Sequence, residues 1–243
     1  MSGWPRWDFP RRGSCVRSSA GQSERTDHLG RVTRGRFISF EGGEGSGKST
    51  QVRRLCARLE AAGHRVVATR EPGGSVGAEA IRNLVLQGTA DRWSPLTETL
   101  LMYAARRDHV ERTIEPALVR GDWVVCDRFA DSTRAYQGQA GAVDAQLIGA
   151  LEVHVLRGVM PDLTLVFDLP VEVGLARAAA HATDAGHGET RFESKGLAFH
   201  QRLRTAFAGI AQAEPERCVL IDASGSMAQV EAAVWQAVAA RVA

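Results

Sequence analysis

The stretch Arg36-Phe37-Ile38-Ser39-Phe40-Glu41-Gly42-Gly43-Glu44-Gly45-Ser46-Gly47-Lys48-Ser49-Thr50-Gln51-Val52 decides the fold of this 243-residue chain. It opens as a short apolar run, the pattern of a strand buried on both faces. A glycine cluster follows, and from Lys48 the period changes. Val52, Leu55, Cys56 and Leu59 then fall at i, i+3, i+4 and i+7, one face of a helix that Gly63 can end. Gly42 to Ser49 fits G-x-x-x-x-G-K-[ST] in the strand–loop–helix context that gives this P-loop pattern its meaning. Glycines let the backbone wrap close to phosphates, so that its N–H groups and the helix N-terminus face negative charge. Lys48 is expected to bridge the β- and γ-phosphates of a nucleoside triphosphate, and Ser49 to hold Mg²⁺. Lys48 and Lys195 are the two lysines of a chain with 28 arginines, so composition alone does not put a lysine here.

Outward from the loop, the same alternation repeats. Arg65-Val66-Val67-Ala68-Thr69, Trp123-Val124-Val125-Cys126, Leu163-Thr164-Leu165-Val166-Phe167 and Cys218-Val219-Leu220-Ile221 read as four more short strands. Helical patterns lie between them at about 75–87 and 95–119, the second opened by Ser94-Pro95 as N-cap and first helical residue. Val230, Ala233, Val234, Ala237 and Val238 give a closing amphipathic helix with Ser226 as its cap. Buried strands alternating with helices predict an α/β, three-layer P-loop fold with about five parallel strands, flanking helices and a short lid. The lid is assigned to the polar, glycine-containing stretch at about 180–191.

Composition narrows the class. The apolar fraction is 44% and the charged fraction 24%, ordinary for a globular domain. No apolar run approaches the ~18–20 residues of a membrane span, and the N-terminus lacks the apolar core of a secretory signal. Cys15, Cys56, Cys126 and Cys218 are scattered without metal-like spacing, which suits reduced thiols and a cytoplasmic enzyme. The net charge of +2 hides an asymmetry. Residues 1–36 carry 8 arginines and 3 acids (8 − 3 = +5), leaving 22 basic and 25 acidic residues beyond (22 − 25 = −3). The folded part therefore offers no basic excess for nucleic acid. Residues 1–35, rich in Arg, Ser and Gly, read as a disordered N-terminal extension, or as residues upstream of a later natural start; residues 36–243 read as the domain.

The loop specifies a triphosphate and leaves the reaction open: a kinase, an ATPase and a switch GTPase all carry it. Arginines 70, 82, 106 and 128 follow strands or lie on helices beyond them, where open α/β sheets bind ligands and guanidinium groups clamp phosphates. Phe40 to Thr50, Thr69-Arg70-Glu71-Pro72-Gly73-Gly74, Tyr103-Ala104-Ala105-Arg106, Asp127-Arg128-Phe129, Ser132-Thr133-Arg134-Ala135-Tyr136-Gln137-Gly138 and Pro161-Asp162-Leu163-Thr164-Leu165 through Asp168 follow one another in order. Together they resemble the bacterial thymidylate kinases over about residues 36–243. The resemblance implies phosphorylation of dTMP to dTDP with ATP and Mg²⁺, and a homodimer.

It also implies residue roles. Gly42, Gly43, Glu44, Gly45, Ser46, Gly47, Lys48, Ser49 and Thr50 form the nucleotide loop, with Glu44 reaching the acceptor sugar. Lys48, Asp127, Arg128 and Arg191 are the catalytic set, and Ser49 with Asp127 the metal set. Arg128 grips the acceptor phosphate. Arg106 and Gln137 meet the thymine edge near Thr133, Tyr136 lies under the deoxyribose, and Arg70 and Arg82 support the acceptor site. Two departures stand out: Met102 replaces the family's usual base-stacking phenylalanine, and Gly45 occupies the loop position where eukaryotic relatives carry an arginine. Bacterial relatives bring arginines from the lid; here Arg191 stands at the end of that stretch and Arg177 before it, and Arg191 is taken as the transition-state arginine. A kinase for UMP, GMP or shikimate, and a P-loop ATPase acting as a switch, are the rival readings.

Overall fold

The computed structural model describes residues 34–89, 91–185 and 195–242, with the backbone alone at 181–185. Five strands, β1 (Phe37–Gly42), β2 (Val66–Arg70), β3 (Trp123–Asp127), β4 (Leu163–Asp168) and β5 (Cys218–Asp222), form one parallel sheet in the order β2-β3-β1-β4-β5. The three inner strands are buried almost throughout, as a sheet covered on both faces requires, whereas the outer β2 and β5 are half-buried. Registers align the carboxyl ends: Arg70 is level with Asp127, Phe40 with Asp127 across β1, Gly42 with Phe167, and Asp168 with Asp222. One sheet edge thus gathers the glycine loop and the acidic strand ends.

Around the sheet lie α1 (Lys48–Ala61), α2 (Val76–Leu86), α3 (Pro95–His109), a π-helical turn at Val110–Ile114, α4 (Glu115–Val119) and α5 (Ala130–Thr133). A second π-helical segment covers Arg134–Gln139, followed by α6 (Ala145–Leu156), α7 (Val171–Ala185), α8 (Leu197–Ala213) and α9 (Met227–Arg241). Helices α1 and α9 pack on one face through Val52, Leu55, Leu59, Val230, Val234 and Val238 against Ile38, Phe40 and Leu165. The other face carries the clusters built on Phe37, Val124 and Phe129 and on Val166, Leu203 and Phe207. The expected three layers are present.

The caps read from sequence form as physics requires. Ser94 Oγ accepts from Thr97 N–H with Pro95 in the first turn, and Ser226 with Gln229 makes a reciprocal capping box. The 95–119 stretch is continuous but locally widened at Val110–Ile114, a feature no periodicity announces.

Two boundaries differ from expectation. The stretch assigned to the lid from 180 onward begins as helix, because the run Ala178-Ala179-Ala180 favours helix and Gly186 is the first breaker; residues 186–194 lie outside the described part. Arg34 and Gly35, assigned to the extension, are tied to the domain: Gly35 N–H donates to Leu118 O at 2.8 Å, and Arg34 reaches Asp162 at 3.5 Å. Residues 1–33 lie outside the described part. Among the described residues no helix is long and apolar enough to cross a membrane, and Cys56, Cys126 and Cys218 are free and buried.

Candidate active site

A cavity of about 580 Å³ opens at the carboxyl edge of the sheet. Its wall includes Glu44, Gly45, Ser46, Gly47, Lys48, Ser49 and Thr50 on the donor side, and Arg70, Arg82, Met102, Arg106, Asp127, Arg128, Thr133, Tyr136 and Gln137 on the other. Gly42 and Gly43 lie behind this wall. The Gly42 carbonyl accepts from Arg128 Nη1 at 3.0 Å, and the Gly43 carbonyl from Lys48 Nζ at 2.6 Å.

The loop's conformation explains its glycines. Gly45 has φ +63, and a Cβ there would come within 2.0 Å of the Gly174 carbonyl in the first turn of α7. A Cβ on Gly174 would in turn meet the Glu44 carbonyl at 2.5 Å. The loop and α7 therefore touch backbone to backbone, and an arginine at position 45 has no room. Lys48 Nζ also donates to Ser46 Oγ at 3.1 Å. Burial and the neighbouring Arg128 lower the Lys48 ammonium to about 8 against the pull of Glu44 and Asp127. Ser49 Oγ donates to Asp127 Oδ2 at 2.6 Å, placing a hydroxyl and a carboxylate side by side. Those hard oxygen donors fit Mg²⁺, which takes few protein ligands and keeps phosphate and water for the rest.

At the centre sits Arg128, a non-glycine residue in the left-handed region with φ 71. Glu41 accounts for that conformation. Its Oε1 accepts Phe129 N–H at 2.8 Å and Ser132 N–H at 3.2 Å, and its Oε2 takes the Ser132 hydroxyl at 2.6 Å. Burial and Asp131 raise the Glu41 carboxyl to about 7 despite these bonds. The guanidinium of Arg128 sets Nη2 against both oxygens of Glu44, at 3.1 and 3.2 Å, and lies 5.1 Å from the Tyr136 ring centre. Tyr136 Oη donates to the same carboxylate at 2.5 Å. Burial by itself would raise Glu44, but Arg128, Lys48 and Tyr136 together bring it down to about 2.

The far end is organised around Arg106, which is 3% exposed. Its Nε donates to Glu71 Oε2 at 2.6 Å, Nη1 to Thr133 Oγ1 at 3.0 Å and Nη2 to the Phe129 carbonyl at 3.1 Å. Glu71 Oε1 pairs with His109 Nδ1 at 2.9 Å, and His109 Nε2 with Thr69 Oγ1 at 2.7 Å. Gln137 Nε2 donates to Glu98 Oε1 at 2.7 Å. Met102 is half-buried and packs against the cluster containing Ala135 and Tyr136. Arg70 points to Glu79 at 3.2 Å and Arg82 to the Pro72 carbonyl at 2.6 Å, so both border the cavity while held by its rim.

Except for Gly42, Gly43 and Arg191, every residue assigned to the site from sequence thus lines one cavity; Arg191 lies outside the described part. Sequence reading missed the supports Glu41, Glu71, Glu98, His109 and Ser132. Glu41, Glu71 and Ser132 stood inside segments that carry the resemblance, but without a role of their own. Glu98 and His109 sit on α3 at helical spacings that mark only a face.

A family model described as "Thymidylate kinase" matches residues 40–234. The thymidylate kinase of Caulobacter vibrioides is 64% identical over 211 residues, covering 87% of this chain and 99% of that one. That of Bradyrhizobium diazoefficiens is 56% identical over 210 residues, 86% of this chain and 91% of the relative. The solved structure of the thymidylate kinase from Ehrlichia chaffeensis superposes with a TM-score of 0.66 at 34% identity, covering 84% of this chain and 98% of that chain. With the family model matched over residues 40–234 and relatives of 56% and 64% identity covering most of its length, the chain belongs to the thymidylate kinase family.

Proposed function

We propose that this chain transfers the γ-phosphoryl group of ATP to dTMP, giving ADP and dTDP for DNA precursor synthesis. The observation that carries the reading is that one cavity joins a phosphate-binding loop to Arg128, Arg106, Tyr136 and Gln137. The nucleophile, a phosphate oxygen of dTMP, is already ionised, so no general base is required. Catalysis is then positioning and charge neutralisation. Lys48 and the loop N–H groups hold the donor phosphates; Arg128 draws the acceptor phosphate in line and exchanges Glu44 for it. Glu44, released from that pair but kept ionised by Lys48 and Tyr136, accepts from the sugar hydroxyl. Mg²⁺, when bound at Ser49 and Asp127, supplies charge neutralisation between the phosphates. Tyr136 fills the space beneath the sugar, and Arg106 and Gln137 address the base beside Met102. Arg70 and Arg82 brace the acceptor rim, and Arg191, beyond α7, supplies the remaining cation on closure.

The same reading makes the protein a cytoplasmic homodimer. Leu96 and Leu100 of α3, 47% exposed each, together with Leu147 and Val153 of α6, give the apolar face for it. ADP release measured with dTMP, dUMP, UMP, GMP and no acceptor tests the assignment. Turnover that requires dTMP, and falls at least about a hundred-fold in Arg191→Ala, is expected. Acceptor-independent turnover, or a preference for UMP or GMP, sinks the assignment, and near-normal turnover in Arg191→Ala removes that residue from it.

A further inference from the structure

We infer that Glu98 is a positioning residue that fixes the orientation of the Gln137 side-chain amide and thereby selects pyrimidines bearing a hydrogen, not a lone pair, at N3. This rests on the reading of the cavity as a pyrimidine deoxynucleotide site and adds a specificity determinant to it. Glu98 is 5% exposed and Gln137 2%, so neither relies on bulk water. A carboxylate only accepts hydrogen bonds, so the 2.7 Å contact to Glu98 Oε1 must come from the amide nitrogen of Gln137. The reverse orientation would set two acceptor oxygens against each other in a buried place. Gln137 lines the cavity, and its Oε1 takes no hydrogen bond from any described residue. Glu98 thus leaves the cavity facing an acceptor.

Arg106 is the complement. A guanidinium has donors and no acceptor, and its Nε is committed to Glu71. The base end of the cavity therefore offers a fixed donor from α3 and a fixed acceptor from the π-helical segment. Thymine and uracil present O4 as acceptor beside N3–H as donor and match both. Cytosine presents an amino donor beside the N3 lone pair and opposes both. The 5-methyl group plays no part in this selection, so Glu98 sorts thymine and uracil together from cytosine. Because the Glu98–Gln137 bond joins α3 to the π-helical segment, the specificity is set by two residues 39 positions apart in sequence.

The test is kcat and KM for dTMP, dUMP and dCMP in the wild type, Glu98→Gln and the exchanged pair Glu98→Gln/Gln137→Glu, with melting temperatures alongside. A glutamine at position 98 can donate or accept, so the Gln137 amide is free to turn. The ratio of kcat/KM for dTMP over dCMP is expected to fall about ten-fold or more, through KM, with dUMP following dTMP. In the exchanged pair the new amide at position 98 donates to the new carboxylate at position 137, which presents only acceptors. The ratio is then expected within about three-fold of wild type. A Glu98→Gln enzyme that keeps the wild-type ratio, or an exchanged pair that sorts no better than Glu98→Gln at equal melting temperature, overturns the inference. If Glu98→Gln fails to fold, the charge-conserving exchange decides: recovery supports the assignment and a ratio below about a tenth of wild type overturns it. A wild-type enzyme with no preference for dTMP over dCMP removes the acceptor reading itself, and the inference with it.

Discussion

Glu41 and Glu44 are carboxylates three residues apart in sequence, with opposite electrostatics. Glu44 faces Arg128, Lys48 and the Tyr136 hydroxyl, which overcome burial and lower it to about 2. Its contribution to stability is therefore present above its ordinary value of 4.5 and lost as pH falls toward 2. Glu41, buried beneath the loop beside Asp131, is raised to about 7. Between pH 4.5 and 7 the unfolded chain ionises at this position before the native state does, so this group's contribution declines as pH rises through that window. Glu41→Gln keeps a carbonyl acceptor for Phe129 and Ser132 N–H while removing the titration. Urea unfolding of both proteins at about pH 4 and pH 8 should show the variant gaining on wild type by up to about 3 kcal/mol as pH rises. A constant gap across that range contradicts the assignment. Motif recognition located Glu44 because its loop is diagnostic; it passed over Glu41, whose role needs the Phe129 and Ser132 amides that folding brings from 88 and 91 residues away.

Among the elements, α7 meets the glycine loop backbone to backbone. Its first turn presents Gly174 to Glu44 and Gly45, with no side chain between. The helix then runs outward to Ala185, toward the stretch assigned to the lid. A methyl group on Gly174 would need about an ångström of separation between loop and helix to relieve its 2.5 Å approach to the Glu44 carbonyl. Gly174→Ala is therefore expected to lower stability by about 1–3 kcal/mol and to reduce kcat several-fold, because Glu44 and Lys48 move with the loop. Denaturant unfolding and steady-state kinetics read both; unchanged values would show that the contact gives way freely. The π-helical segment Arg134–Gln139 is the other decisive element. Arg134, 1% exposed, binds Asp131, Glu152 and Glu214, and Arg217 binds Asp131 and Thr164. That network anchors the segment between α6, α8 and the sheet, holding Tyr136 and Gln137 toward the cavity.

Over the whole molecule, among the described residues, helices cover the two faces of the sheet, and exposed large apolar side chains are spread over several elements, four of them on one helix pair. Leu96, Leu100, Leu147 and Val153 lie on α3 and α6, which pack against each other. If this face joins two copies, Leu100→Glu places a charge in an apolar interface and shifts the species in sedimentation from dimer toward monomer at micromolar protein. A variant that sediments as wild type argues against that face. Since Glu98, Tyr103 and Arg106 belong to the same helix, loss of the dimer is expected to raise KM for dTMP as well.

The sequence by itself determined the strand–loop–helix unit, the five parallel strands, the caps at Ser94 and Ser226 and the loop residues that line the cavity. These depend on local period, on glycine's backbone freedom and on caps within four residues, all of which are properties of short segments. Tertiary structure alone decided that Gly45 is backed by Gly174, that Glu41 holds Arg128 in a left-handed conformation, and that Glu98 and Glu71 orient Gln137 and Arg106. Those contacts join residues 35 to 129 positions apart, and no local pattern encodes a partner at that distance. A buried donor or acceptor must find its complement wherever the packed layers bring one, and only the assembled fold sets that place.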